Sequence, residues 1–322
     1  FSRLADLIAI DNVADRPTKS ITEVFTGKEL ATIPVGTADD ALAAIARARV
    51  AQKEWAKRSV LDRAAVFHRY RDLILENRDA LMDMAQAETG KSRTAAQEEV
   101  LDISMTSRHY ARVAPKLLRP RRVSGMLPGL TKTVVRYQPK GVVGVISPWN
   151  YPMTLTVSDA VPALLAGNAV VLKPDSQTPY CALACAELLY RAGLPRALYA
   201  VVPGPGSVVG TAIADNCDYL MFTGSSATGS HLAEHAGLEP FTHQPDAFPA
   251  VALIAHDGLH AVFVRGLLQR AHLPDVVGER LLHKDVLLRL HRGHGGGEVR
   301  VIRRGDEHGV DLGALFVEHL AE

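Results

Sequence analysis

The chain has 322 residues, of which 47% are hydrophobic and 22% charged, the balance of an ordinary soluble globular protein. Its 36 basic and 35 acidic residues give a net charge of +1, which excludes attraction to nucleic acid or to an anionic membrane through bulk charge. Three cysteines are too few for a disulfide framework and no apolar run reaches the roughly 20 residues of a membrane span, so a reducing cytoplasm is the expected compartment.

The first residue is Phe1 and no basic-then-apolar leader follows it, so the chain is read as lacking its true start. Residues 1–37 are irregular, with short apolar stretches at Val24-Phe25 and Ala31-Thr32-Ile33. From Thr37 a helical period begins: Ala41, Ala44, Ile45 and Ala48 recur at three- and four-residue steps, and Asp39 and Asp40 suit a helix start. A second helix is expected from Ser59, with Leu61, Ala65, Phe67, Tyr70, Leu73 and Leu75 on one side, until Glu88-Thr89-Gly90-Lys91 breaks it. A third covers Arg93 to Val113. The basic cluster Lys116 to Arg122 reads as a solvated loop rather than a nucleic-acid contact.

The period changes at Thr133. Val134 to Tyr137 is an expected strand, and Gly141 to Ile146 is a short apolar run of the kind that forms a buried strand. A helix from Met153 to Leu165 stops at Gly167-Asn168. The strand Ala169–Lys173 comes next, then a helix opened by Pro179. Leu198–Val202 is a third strand of this series, followed by a helix from Val208 to Ala214. Asp218–Phe222 is the fourth, and Thr228 to His235 the last helix. Strands alternating with helices at this spacing predict an α/β fold: a parallel sheet covered on both faces, preceded by a helical amino-terminal region.

Ligands of open parallel sheets sit beyond the carboxyl ends of the strands. The four ends carry Ser147-Pro148-Trp149-Asn150, Lys173-Pro174-Asp175-Ser176, the glycine-rich stretch Pro203 to Gly210, and Thr223-Gly224-Ser225. Glycines let backbone amides approach phosphate, and a lysine adds charge or sugar hydrogen bonds, so these edges together suit a phosphate-bearing ligand. Each glycine cluster alone is a weak signal, and Gly204 to Gly210 does not follow the GxGxxG pattern. Cys181, Cys185 and Cys217 read as small core residues, and no metal-ligand spacing is present.

Pro148-Trp149-Asn150-Tyr151-Pro152, Ala166-Gly167-Asn168-Ala169 leading to Lys173-Pro174, Gly193-Leu194-Pro195 and Phe222-Thr223-Gly224-Ser225 follow one another over about 100 residues. In order and spacing this series resembles the aldehyde dehydrogenase superfamily, and Lys173 to Pro179 is most similar to its NADP-type succinate-semialdehyde dehydrogenases. The resemblance implies a Rossmann-like NAD(P)-binding domain over 1–237. Its cofactor contacts would be Ile146, Ser147, Pro148, Trp149, Asn150, Lys173, Asp175, Ser176, Gly206, Gly210, Phe222, Thr223, Gly224 and Ser225. For Trp149, packing of the turn and contact with the cofactor are equally open. Asn150 corresponds to the amide that steadies the developing oxyanion. Ser176 stands where NAD-preferring relatives commonly carry a glutamate that repels a 2′-phosphate, so NADP is the implied cofactor, with NAD also possible. An aldehyde substrate and a homo-oligomer are the implied partners.

The family pattern then stops. After Gly237 neither the Glu-Leu-Gly-Gly segment that supplies a general base nor the Gly-Gln-x-Cys segment that supplies the nucleophile is present. The stretch 238–322 holds nine of the thirteen histidines and no Ser, Asn, Tyr, Cys, Met or Trp, whereas 1–237 holds fourteen serines. Three readings compete for it: a divergent substrate domain, a His- and Arg-rich binding module around His291 to Gly297, or a frameshifted or inverted coding stretch. The last is preferred, because Val310 to Gly305 read on the complementary strand can encode Asn-Pro-Met-Leu-Val-Ala, a family-like segment. Lacking both the nucleophile and the base, the chain is expected to be inactive, and its tail is of uncertain fold.

Overall fold

The computed structural model describes residues 1–125 and 131–235 and the strand segments 250–256, 260–262, 286–293 and 296–303. The chain divides into two units, Phe1–Glu239 with His243–Phe263, and Pro240–Thr242 with Val264–Glu322.

In the first unit a short helix α1 (Ser2–Ala5) precedes an antiparallel ribbon of β1 (Thr18–Thr22) and β2 (Glu29–Pro34). Four helices follow: α2 (Ala38–Lys57), α3 (Val60–Glu76), α4 (Arg78–Thr89) and α5 (Arg93–Leu117). Their starts are written locally. Thr37 and Asp40 form a reciprocal capping box at α2, and the hydroxyls of Ser59 and Ser92 accept from backbone amides of Asp62 and Ala95 at α3 and α5. Two expectations need correction. The run from Ser59 to Glu88 is two helices that meet at Asn77, and the buried face of α3 is Arg63, Val66, Phe67, Tyr70 and Ile74, while Leu61 and Ala65 are exposed. The three- and four-residue steps from Arg63 put Leu61 and Ala65 on the outer side.

The basic cluster is also more ordered than a loop: Arg121–Val123 forms β3, which pairs antiparallel with β4 (Thr133–Val135). Arg121 and Arg122 remain exposed, because this two-stranded ribbon has only one partner strand to bury against.

The sheet is built from β5 (Val142–Ile146), β6 (Ala169–Lys173), β7 (Tyr199–Val201) and β8 (Tyr219–Gly224). Between the first two lie α6 (Thr154–Val157) and α7 (Ala160–Leu165) where one helix was expected. Pro162 explains the break: inside a continuous helix it would lack the N–H owed to Ser158, whereas in the first turn of α7 no such bond is required. The remaining helices are α8 (Pro179–Arg191), α9 (Thr211–Asn216) and α10 (Ser226–His235). A fifth parallel strand, β9 (Ala250–His256), joins β8, and β10 (His260–Val262) runs antiparallel beside it; neither was expected from the sequence. The strand order is β10-β9-β8-β5-β6-β7. The chain therefore winds outward from β5 through β6 to β7, then returns to the other side of β5 as β8, which places a topological switch point between β5 and β8.

Every residue of β5 and β6 is buried, as their unbroken apolar runs require of a sheet covered on both faces. Helix α2 packs against β5, β6 and β7, so the helical amino-terminal region supplies part of the sheet's own cover. Gly144, in the middle of β5, is where the packing is tightest: a Cβ there would stand 2.5 Å from Ile213 Cγ2 of α9 and 3.0 Å from Cys217 Sγ. Gly144→Ala is expected to cost about 1–3 kcal/mol by forcing α9 off the strand. Urea unfolding would measure it, and a loss below about 0.5 kcal/mol would show that α9 yields freely.

The second unit contains a regular antiparallel hairpin of β11 (Val286–Gly293) and β12 (Gly296–Arg303). The His291 to Gly297 stretch lies mainly on these strands. Val310 to Gly305, on which the inverted-strand reading rests, lies outside the described residues.

Candidate functional site

Three of the four predicted edges meet around β5. Ile146 stands in register with Lys173 on one side and Phe222 on the other, and the Ser147 amide donates to the Lys173 carbonyl at 3.2 Å. Ser147 and Thr223, the residues at the two sides of the switch point, are 3% and 5% exposed. Both hydroxyl oxygens are buried without a hydrogen-bond partner among the described residues. Buried hydroxyls are ordinarily satisfied, so two orphaned ones at a switch point mark a place where an incoming polar group can be received.

Lys173 is equally buried. Its ammonium donates to the Pro174 carbonyl at 2.9 Å, and its pKa is lowered, first by desolvation and further by Lys19 of β1, against a raising effect of Asp175. A lysine held this way has hydrogen-bonding capacity left and gains from a nearby anion. Asp175 spends its carboxylate on its own loop, accepting from the Gln177 amide at 2.9 Å. Ser176 is half-buried, with its hydroxyl 3.5 Å from the Gly204 carbonyl.

The third edge arrives through close backbone packing. Gly36 donates to the Pro203 carbonyl at 2.8 Å, and a Cβ on Gly204 would stand 2.9 Å from the Gly36 carbonyl oxygen and 2.5 Å from Val209 Cγ2. Glycine at 36 and 204 thus lets the segment before α2 lie directly on the end of β7. Beyond it, Gly206–Gly210 forms a wide helical turn; Gly206 faces open space, and a Cβ on Gly210 would touch Ile146 and Lys173 at 3.6 and 3.7 Å. Gly210 is therefore the residue of this loop that reaches the β5–β6 end. The β8 edge continues into α10, where the Ser225 hydroxyl accepts from the Thr228 amide.

Pro148 is half-buried, whereas Trp149 is about half exposed. Packing of the turn thus does not use the whole indole. Asn150 Oδ1 accepts from the Tyr151 amide at 3.1 Å, and its amide nitrogen has no hydrogen bond among the described residues. That leaves an oriented N–H donor available.

This arrangement of sheet ends coincides with a family assignment. The aldehyde dehydrogenase family model matches residues 12–244. The chain belongs to the aldehyde dehydrogenase family. Its family segment reaches a few residues past Gly237. The chain is 74% identical over 237 residues to the Mycobacterium tuberculosis protein named "Putative succinate-semialdehyde dehydrogenase 2", whose name specifies NADP(+); that alignment takes in 74% of this chain and 46% of the relative. This family chain thus spans about half the length of the curated relatives it matches. A Mycobacterium ulcerans protein of the same name aligns at 60% identity over 326 residues, 99% of this chain and 63% of the relative. Among solved structures, the fold is similar to an E. coli NADP dependent enzyme, with TM-score 0.69 and 31% identity over 74% of this chain and 48% of that one. It is likewise similar to succinate-semialdehyde dehydrogenase from Burkholderia pseudomallei, with TM-score 0.65 and 32% identity over 68% and 45%.

The cysteines of this family chain are core residues. Cys181, Cys185 and Cys217 are free and buried, and burial raises all three thiols, that of Cys217 to about 11. None has the exposure or the thiolate character of a nucleophile. No cluster of metal-ligating side chains occurs among the described residues, and no helix among them is long and apolar enough to cross a membrane. Sequence reasoning missed Gly36, Lys19 and the pair Lys91 and Glu99. Gly36 precedes the Thr37 cap and gives no signal of its own; the other three act through tertiary contacts.

Proposed function

We propose that residues 1–237 form the nucleotide-binding part of an NADP-dependent aldehyde dehydrogenase, with succinate semialdehyde as the favoured aldehyde. The observation that carries this is the pair of buried hydroxyls of Ser147 and Thr223, at the ends of β5 and β8 and without a hydrogen-bond partner among the described residues, together with the buried ammonium of Lys173 at the end of β6. Such groups lose free energy in the empty protein and regain it when a polar ligand pairs them. Ile146, Ser147, Pro148 and Trp149 would hold the cofactor from the β5 end, with Phe222, Thr223, Gly224 and Ser225 across the switch point. Lys173, Asp175 and Ser176 would take the ribose end, and Gly206 and Gly210 the adenine side. Ser176 brings no carboxylate toward a 2′-phosphate, which favours NADP and permits NAD. When bound there, the nicotinamide would supply a hydride acceptor. Asn150 would donate its free N–H to the oxygen of the aldehyde as negative charge develops there.

The chain lacks a cysteine after Cys217 and a Glu-Leu-Gly-Gly segment, so we propose that this polypeptide binds nucleotide without oxidising aldehyde. For 238–322, the Mycobacterium ulcerans alignment supports a divergent domain, and the residue bias supports an altered coding stretch. Sequencing the underlying DNA separates them: Glu-Leu-Gly-Gly and Gly-Gln-x-Cys encoded on the complementary strand or in another frame establish the second, and their absence from both removes it. The functional reading is tested by calorimetry with NADP and NAD, together with the absorbance of reduced nucleotide in the presence of succinate semialdehyde. Binding of NADP ahead of NAD and no turnover are expected. Absence of binding would overturn the nucleotide reading, and turnover would overturn the inactivity.

A further inference from the structure

The turn between α4 and α5 belongs to the helical amino-terminal region, yet its side chains reach two of the loops assigned to the nucleotide. Glu88, 3% exposed, accepts from the Tyr180 amide at 2.9 Å and the Cys181 amide at 2.7 Å. These are first-turn donors of α8, whose own cap residue Thr178 makes no side-chain hydrogen bond to them. Glu88 therefore fixes the end of the loop that begins at Lys173. Three residues later, Lys91 pairs with the fully buried carboxylate of Glu99 and donates to the Asn150 carbonyl at 2.9 Å. Its ammonium also lies 4.8 Å from the centre of the Tyr151 ring. The second oxygen of Glu99 accepts from the amides of Met153 and Thr154 at 2.9 and 3.1 Å.

Gly90 makes the double reach possible. It closes α4 at φ +71°, and a Cβ there would stand 2.7 Å from Val24 Cγ1, so an L-residue is strained at this point. A buried ion pair adds little net stability over an apolar replacement but holds its partners in one arrangement.

We propose that Glu88, Lys91 and Glu99 are positioning residues that fix the Asn150 loop and the Lys173–Thr178 loop, and through them set the affinity for nucleotide. The affinity half rests on the nucleotide-binding reading above; the bracing half does not. Lys91 and Glu99 govern residues 150–154, and Glu88 governs 174–181. The two arms are separable, because each is anchored to a different backbone segment.

The test uses the full chain, with NADP titrated by calorimetry and backbone amide exchange followed segment by segment. Lys91→Met is expected to weaken NADP binding about five- to tenfold and to speed exchange at 150–154 while sparing 178–182. Glu88→Ala should do the reverse, speeding exchange at 178–182 and sparing 150–154. Lys91→Arg should restore both affinity and protection. A merely structural role would speed exchange along β5 and β6 alike and lower the unfolding midpoint without that division. If the wild type binds NADP and both variants bind within twofold of it, or if exchange rises evenly, the proposal is overturned. If the wild type binds no NADP, the nucleotide reading fails and the affinity half with it, while the exchange pattern alone upholds or overturns the bracing.

Discussion

Trp55→Ala is expected to lower the unfolding free energy by about 3–5 kcal/mol, the cost of emptying a large core site. Trp55 is 1% exposed, and its indole N–H donates to the Leu164 carbonyl at 2.8 Å. The ring therefore does two things at once: it fills a large core site, and it ties α2 to the end of α7 through a carbonyl that the Gly167 amide also reaches. Arg63 works beside it, donating from Nε to the Leu165 carbonyl at 2.9 Å and from its terminal nitrogen to Arg58 at 2.6 Å. Alanine at 55 leaves a cavity and removes one of the two donors to the Leu164 carbonyl, which keeps the Gly167 amide at 3.0 Å. Trp55→Phe narrows the comparison, since it keeps most of the apolar volume while losing the hydrogen bond, which alone contributes about 1 kcal/mol. Urea unfolding of both variants gives the comparison. A loss below about 1.5 kcal/mol for Trp55→Ala would mean that α2 is not anchored to α7 through this residue.

How much was legible follows from how far apart the determining residues lie. The caps at Thr37, Ser59 and Ser92 sit within three residues of the amides they satisfy, so the helix starts were readable. The apolar runs of β5 and β6 are buried on both faces, and that too is a local property. The face of α3 was not, because Leu61 and Ala65 are as apolar as Phe67 and Tyr70, and only the neighbouring helix decides which side is covered. The same holds for β3: its pairing with β4 overrides the charge of Arg121 and Arg122. Within the site, Lys173, Ser147 and Thr223 were found because strand ends are where ligands of parallel sheets sit. The orphaned hydroxyls of Ser147 and Thr223 and the burial of Lys173 depend on tertiary packing. Lys91 and Glu99 lie 59 and 51 residues before Asn150, and nothing in that separation announces a contact. The Glu88-Thr89-Gly90-Lys91 run did carry a signal: two charges around a helix-ending glycine. In the sequence alone that signal marks only a break.

Glu88 gives the chain a pH dependence that can be isolated. Burial pushes its carboxyl up from 4.5 to about 7, although the amides of Tyr180 and Cys181 and the Cys181 thiol pull it down. The folded protein thus binds this proton more tightly than the unfolded chain does. Its contribution to stability is fully present below pH 4.5 and is lost as pH rises through 7. For a shift of this size the contribution is about 3 kcal/mol. Asp159, raised by burial from 3.8 to about 6, acts in the same direction, so the wild-type slope alone does not assign the effect. Glu88→Gln does: glutamine keeps a carbonyl acceptor for the α8 amides and cannot titrate, while Asp159 is unchanged. Unfolding free energies at pH 5 and pH 8 should therefore converge in the variant by an amount on the order of 2–3 kcal/mol relative to wild type. Parallel pH slopes for the two proteins would mean that water reaches this carboxylate and that burial does not set its charge. Convergence would mean that the folded chain is most stable with Glu88 neutral, and that ionising this buried carboxyl costs stability across the neutral range, the α8 amides offsetting only part of its desolvation.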